Sequence, residues 1–232
     1  MDYILPTSTS SSSSSLGVSS SIIFHGNRNP EGLSSSLISV LLLNIANEAA
    51  TRQLRTVFIR KEAILEYDFV HIHGCSRLDT SNWDDIHFVY LPSEDALIRW
   101  FSSVHMQQRF ADLIIVEALD QLVKNNKDSS YIIRLTNLLE DTRQFIHNTV
   151  KDTEHGHNCG LIVSSAINNF CDLKKMNLAS PTHELFPAHA LARTYLLHEE
   201  NEDNCFQLHS VEDNWRLNIK KQYDEVFWIA KD

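Results

Sequence analysis

The chain has 232 residues, 43% of them hydrophobic, enough to build the core of one α/β domain of ordinary size. Its net charge of −10 means that the surface as a whole repels nucleic acid, so any DNA contact must come from a local basic patch or from a partner. No apolar run approaches the roughly 20 residues needed to cross a bilayer, and no basic segment precedes an apolar one at the N-terminus, so an intracellular chain without membrane anchor or secretory signal is expected.

Residues 7–20 are dominated by serine and bury too little apolar surface to offset their ordering entropy, so residues 1–20 read as a disordered tail and 21–232 as a single domain. From Ile22 onward, short apolar runs alternate with helical periodicity. Ile22–Phe24 is the first expected strand and Ser34–Thr51 the first helix, followed by a strand over Arg55–Ile59. Residues 61–84 read as irregular. Ile86–Tyr90 is another short strand, closed by Pro92. Ser93 with Glu94 and Asp95 reads as an N-cap with first-turn acids, opening a helix to about Met106.

Leu113-Ile114-Ile115-Val116 is the most apolar strand, and Ser129-Ser130 opens a long amphipathic helix to about Val150. That helix carries Ile133, Leu135, Leu138, Leu139, Thr142, Phe145 and Ile146 at helical spacing. Gly160–Ser164 is a further buried strand. Ala192–Leu197, Cys205–His209, Trp215–Lys220 and Val226–Ala230 read as shorter, partly alternating strands. The whole predicts an α/β fold: a mainly parallel central sheet with helices on both faces, finished by antiparallel C-terminal strands.

The segment Ser21-Ile22-Ile23-Phe24-His25-Gly26 runs from a strand into a glycine. Asn27 to Ser34 then leads into the first helix, and strand, glycine-bounded loop and helix in that order are the layout of a phosphate-binding P-loop. Gly26, Asn27, Arg28, Gly32 and Ser34 are its candidate nucleotide contacts. The lysine that should reach the β- and γ-phosphates is missing: Gly32 occupies its position in ungapped register, and Leu33 does so after one insertion. Arg28 supplies a cation nearby, whereas Glu31 opposes an anion and Pro30 removes one cradle N–H. The alternative is the glycine-containing turn of any α/β fold.

Glu117 ends the Leu113–Val116 run, as the metal-orienting acid ends a Walker B strand, with one methylene more than the usual aspartate. Metal ligation is not expected: His71-Ile72-His73 and His155-Gly156-His157-Asn158-Cys159 each lack a second matching ligand pair. Cys75, Cys159, Cys171 and Cys205 have no CxxC spacing and read as buried free thiols in a reducing compartment. Lys174 and Lys175, after the Gly160–Ser164 strand, are the candidate DNA contacts, with solvated surface lysines as the alternative. Phe227-Trp228-Ile229-Ala230 matches an F-x-x-A pattern that docks recombinase subunits, but because it lies in a strand-like run it reads first as core packing, with docking as the alternative.

The order of these segments resembles the small recombinase paralogues of the RecA family, and among them the SWIM-domain-associated subunits of the metazoan Shu complex. The likeness is carried by Ile22–Ser34, by Arg55-Thr56-Val57-Phe58-Ile59-Arg60, and by Ile86-His87-Phe88-Val89-Tyr90-Leu91-Pro92-Ser93 leading into Leu97–His105. Asp112–Val123 and Cys159–Val163 continue it. The resemblance implies a RecA-like P-loop NTPase core with a degenerate nucleotide site, no resident cofactor beyond weak ATP and Mg²⁺ binding, and a nuclear role in homologous-recombination DNA repair. Its implied partners are a SWIM-domain zinc protein, a recombinase of the RecA family and single-stranded DNA. A DNA-stimulated P-loop ATPase, or an α/β interaction domain without a DNA role, are the alternatives.

Overall fold

The computed structural model describes residues 20–25, 33–64, 72–73, 80–123, 129–151, 159–166, 193–199, 205–210, 216–222 and 225–230. Its strands are β1 (Ser20–His25), β2 (Thr56–Arg60), β3 (Ile72–His73), β4 (Ile86–Tyr90), β5 (Leu113–Val116), β6 (Gly160–Ala166), β7 (Arg193–Glu199), β8 (Cys205–Ser210), β9 (Arg216–Gln222) and β10 (Glu225–Ala230). All belong to one sheet in the order β3-β10-β9-β8-β7-β1-β6-β5-β2-β4. From β7 to β4 every neighbouring pair is parallel. From β7 to β10 the pairs are antiparallel.

The central strands read as unbroken apolar runs because both their faces are covered. Every residue of β5 and β6 is buried. On one face Ile22, Val57, Ile59, Ile114, Val116, Leu161 and Val163 pack against Leu97, Phe101, Leu135, Leu139 and Ile146. These last come from the helices α2 (Glu94–Ser103) and α4 (Ser129–Lys151). On the opposite face Ile23, Phe58, Ile115 and Ile162 pack against the helix α1 (Leu33–Thr51). Successive strand residues thus alternate between the two cores, as the period of two requires.

α1 carries no polar face along Leu37–Leu43, where all but Ser39 are at most 3% exposed. A helix apolar all round must be covered all round. The covering is the sheet on one side and a 3₁₀ turn over Thr80–Asp85 on the other, whose Trp83 ring lies 5.3 Å from that of Phe88.

Local signals held where chemistry specified them. The Ser93 hydroxyl accepts the Ala96 N–H at 3.4 Å and caps α2, with Glu94 and Asp95 in its first turn. That helix ends at Ser103, and a 3₁₀ turn over Val104–Met106 completes the stretch expected to be helical to Met106. In α4, Leu135, Leu139, Thr142 and Ile146 are buried, whereas Phe145 is 42% exposed and packs edge-on against Phe110.

The first strand, expected over Ile22–Phe24, runs over Ser20–His25. Two expectations need correction. The stretch 61–84, read as irregular, contains β3, which pairs in parallel with β10 at the far edge of the sheet. β7, grouped by texture with the antiparallel strands, pairs in parallel with β1 on one side and antiparallel with β8 on the other.

Candidate functional site

In a parallel sheet all strands end on the same rim, and ligands of such folds gather at that carboxyl edge. β1 and β5 flank β6, so the end of the P-loop-like strand and Glu117 open on one rim with a single strand between them. Gly26, Asn27, Arg28 and Gly32 lie outside the described residues, as do Lys174 and Lys175. Ser34 falls in the first turn of α1, immediately after the helix start at Leu33.

Glu117 is only 6% exposed, and its backbone N–H donates to the Ile59 carbonyl at 2.9 Å, extending the β2–β5 ladder by one bond. Val116 points into the core beneath α2 and α4, so alternation turns Glu117 toward α1. The same count turns Arg60, after Ile59, to that side. The consequence is a three-residue contact. The Ser39 hydroxyl, from α1, donates to Glu117 Oε1. Arg60 Nε lies 3.2 Å from Glu117 Oε2, with the two side chains 12% and 7% exposed.

A second polar group lies beside the first. Ala118 adopts the left-handed conformation, φ 50° and ψ 55°, which turns the chain from β5 into the short helix α3 (Leu119–Leu122). Its N–H donates to the Ser164 hydroxyl of β6 at 2.9 Å. Two residues on, Asp120 Oδ1 accepts the Ala166 N–H at 2.9 Å and the Ser165 hydroxyl at 3.5 Å. The rim from β2 to β6 is therefore knit together by Arg60, Glu117, Ser39, Ser164 and Asp120.

Of the sequence-predicted residues, Glu117 directly follows the last residue of β5, at the carboxyl rim. The hydroxyl of Ser39, on α1, donates to it. Arg60, Ser39 and Asp120 escaped the sequence reading. Ser39 left one trace, as a polar residue inside the apolar run Leu37–Leu43, and Arg60 left another, as the charged residue that ends a buried strand.

A Mg²⁺ ion demands oxygen ligands in near-octahedral array at about 2.0–2.1 Å, and usually keeps several waters. Among the described residues Glu117 instead meets a hydroxyl donor and a guanidinium, an arrangement that does not fit a Mg²⁺ ion. Among the described residues no cluster of three or more His, Cys, Asp or Glu is arranged to hold a metal, and no helix is long and apolar enough to cross a membrane. His71, His155 and His157 lie outside the described residues. Cys159 is buried and unpaired, but Cys205 is half-buried rather than buried; Cys75 and Cys171 lie outside the described residues. Phe227–Ala230 lies in β10 and pairs along its length with β9, while Phe227 also pairs with His73 of β3.

No protein-family model matches the chain, and the curated proteins contain no match to its sequence. Among solved structures it is similar to the crystal structure of the RadB recombinase, with a TM-score of 0.61 over 91% of this chain and 90% of that one. The two sequences are 8% identical over the aligned residues, so the likeness is one of architecture. The chain has a RecA-like α/β fold.

Proposed function

We propose that this chain is a recombinase-paralogue subunit that promotes homologous-recombination DNA repair as part of a Shu-type complex, with its RecA-like sheet as an interaction platform. Its partners on this reading are a SWIM-domain zinc protein, a recombinase of the RecA family and single-stranded DNA, in the nucleus. The nucleotide cleft is degenerate. One observation carries the reading: the acid that follows β5 is engaged by Arg60 and Ser39 of the same chain. A parallel sheet needs its helices for burial whether or not a nucleotide binds, so the fold outlives the loss of the phosphate-gripping lysine.

Affinity purification from cells, with peptide identification of what co-purifies, tests the assembly. Recovery of a SWIM-domain zinc protein supports it, and repeated recovery of the chain without one favours an α/β interaction domain of another kind. Hydrolysis of radiolabelled ATP by the purified chain, with and without single-stranded DNA, tests the cleft. Turnover that Glu117→Gln abolishes would establish an active ATPase instead.

A further inference from the structure

We infer that Arg60 is the resident cation of this rim: its guanidinium holds Glu117 in place of a divalent metal, so the carboxylate is closed to Mg²⁺ and to any ligand that depends on it. The inference deepens the reading of the cleft as degenerate and rests on it.

Three observations converge on Arg60. Its position is fixed by the backbone. It ends β2 in register with Tyr90 of β4, and its carbonyl accepts the Leu91 N–H at 2.9 Å, while the neighbouring Ile59 carbonyl accepts Glu117 N–H. The two charged residues are thus held side by side by adjacent ladders rather than by flexible loops.

The pair is also enclosed. With side chains 12% and 7% exposed, neither charge is offset chiefly by bulk water, and a buried charge needs a partner. Finally, the Ser39 hydroxyl occupies the other carboxylate oxygen as a donor. A metal ligand at that oxygen would require the hydroxyl to turn away, and a dication near Oε2 would sit against the positive charge of Arg60.

The longer side chain at the end of β5 belongs to the same arrangement. An aspartate would hold its carboxylate one methylene closer to its own strand. Glutamate carries it out to where the β2 residue and the α1 hydroxyl both reach it.

The test uses Mn²⁺ as a paramagnetic stand-in for Mg²⁺, read by electron paramagnetic resonance on the purified full chain. Far-UV circular dichroism checks that each variant is folded. Surface sites of this acidic chain are removed by subtracting the Glu117→Gln variant, which alters only the rim. The wild-type and Glu117→Gln proteins are expected to bind Mn²⁺ identically. Arg60→Met, which frees Glu117 of its cation, is expected to gain a site about tenfold or more tighter than the background. The double variant Arg60→Met with Glu117→Gln should lose it again.

A wild-type Mn²⁺ site that Glu117→Gln removes would overturn the proposal, and that comparison decides even if Arg60→Met does not fold. A folded Arg60→Met protein with no gained site would overturn it too. Because the metal is measured on the isolated chain, failure to find a SWIM-domain partner leaves this result untouched, and the converse holds as well.

Discussion

Asp120 Oδ1 accepts the backbone N–H of Ala166 at 2.9 Å, so the short helix after β5 closes the end of β6. Both groups are buried, with Asp120 7% and Ala166 2% exposed. The carboxylate does for the strand end what a cap does for a helix, taking a backbone donor that has left the ladder.

Asp120→Ala therefore removes the acceptor and leaves the Ala166 N–H buried without it. The expected loss is about 1–3 kcal/mol of unfolding free energy, with Asp120→Asn costing less because its amide oxygen still accepts. Urea denaturation followed by circular dichroism measures both. An Asp120→Ala protein as stable as wild type would show that the contact contributes nothing.

Glu140 and Arg143 tie α4 to the opposite rim. Arg143 Nη2 donates to Glu140 Oε1 at 2.7 Å and Nε to Oε2 at 2.9 Å, while Nη1 reaches the Cys159 carbonyl at 3.2 Å. Burial pushes the Glu140 carboxyl up, but hydrogen bonds from Arg143 and Gln144 outweigh it and hold it below the usual carboxylate range. The folded-state value thus lies below the unfolded one, so the stabilisation is present above the unfolded value and is lost as pH falls through the folded one. Glu140→Gln is expected to cost roughly 1–3 kcal/mol at neutral pH, and the gap from wild type should close as the pH drops below about 4. Thermal melts across that range check the sign: a gap that widens on acidification would contradict it.

The Cys159 thiol is pushed up to about 12, chiefly by burial, with the positive charge of Arg143 opposing the rise. The thiolate is the nucleophile, so at pH 8 this sulfur is inert on two counts, protonation and access. Brief iodoacetamide treatment of the native protein should leave Cys159 unmodified and label Cys205 faster, with both labelled once the chain is unfolded. Peptide mass spectrometry reads the sites. Labelling of native Cys159 at the rate of a free thiol would refute the assignment.

Ala118 holds a left-handed backbone with φ 50°, where its Cβ crowds the following carbonyl at a cost of roughly 1–2 kcal/mol. Glycine removes that crowding but has more freedom to lose on folding, so Ala118→Gly should raise stability by at most about 1 kcal/mol. Ala118→Val should lower it, since a branched side chain fits this conformation worse. Destabilisation by glycine, measured in the same urea titrations, would mean that the turn carries no strain.

Much of the architecture is written locally. Leu113–Val116 is apolar at every position because a strand covered on both faces has no polar side to show, and Ser93 with its two acids announces a helix start in its immediate neighbours. Such signals survive in one dimension because the forces behind them act over a few residues. β3 left no comparable trace, since two residues are too few for a period and their pairing with β10 is a long-range event.

The rim shows the same division. That an acid ends β5 is plain from the chain alone, and alternation from Val116 gives the side to which it turns. Which group meets it is another matter. Ser39 and Glu117 stand 78 positions apart, and Arg60 reaches the carboxylate only because β2 and β5 are neighbours in the sheet. A carboxylate is equally suited to a metal, a hydroxyl or a guanidinium; the order of strands selects among them. The residue types were determined by the sequence, and their pairing by the tertiary structure, because charge acts through space and not along the chain.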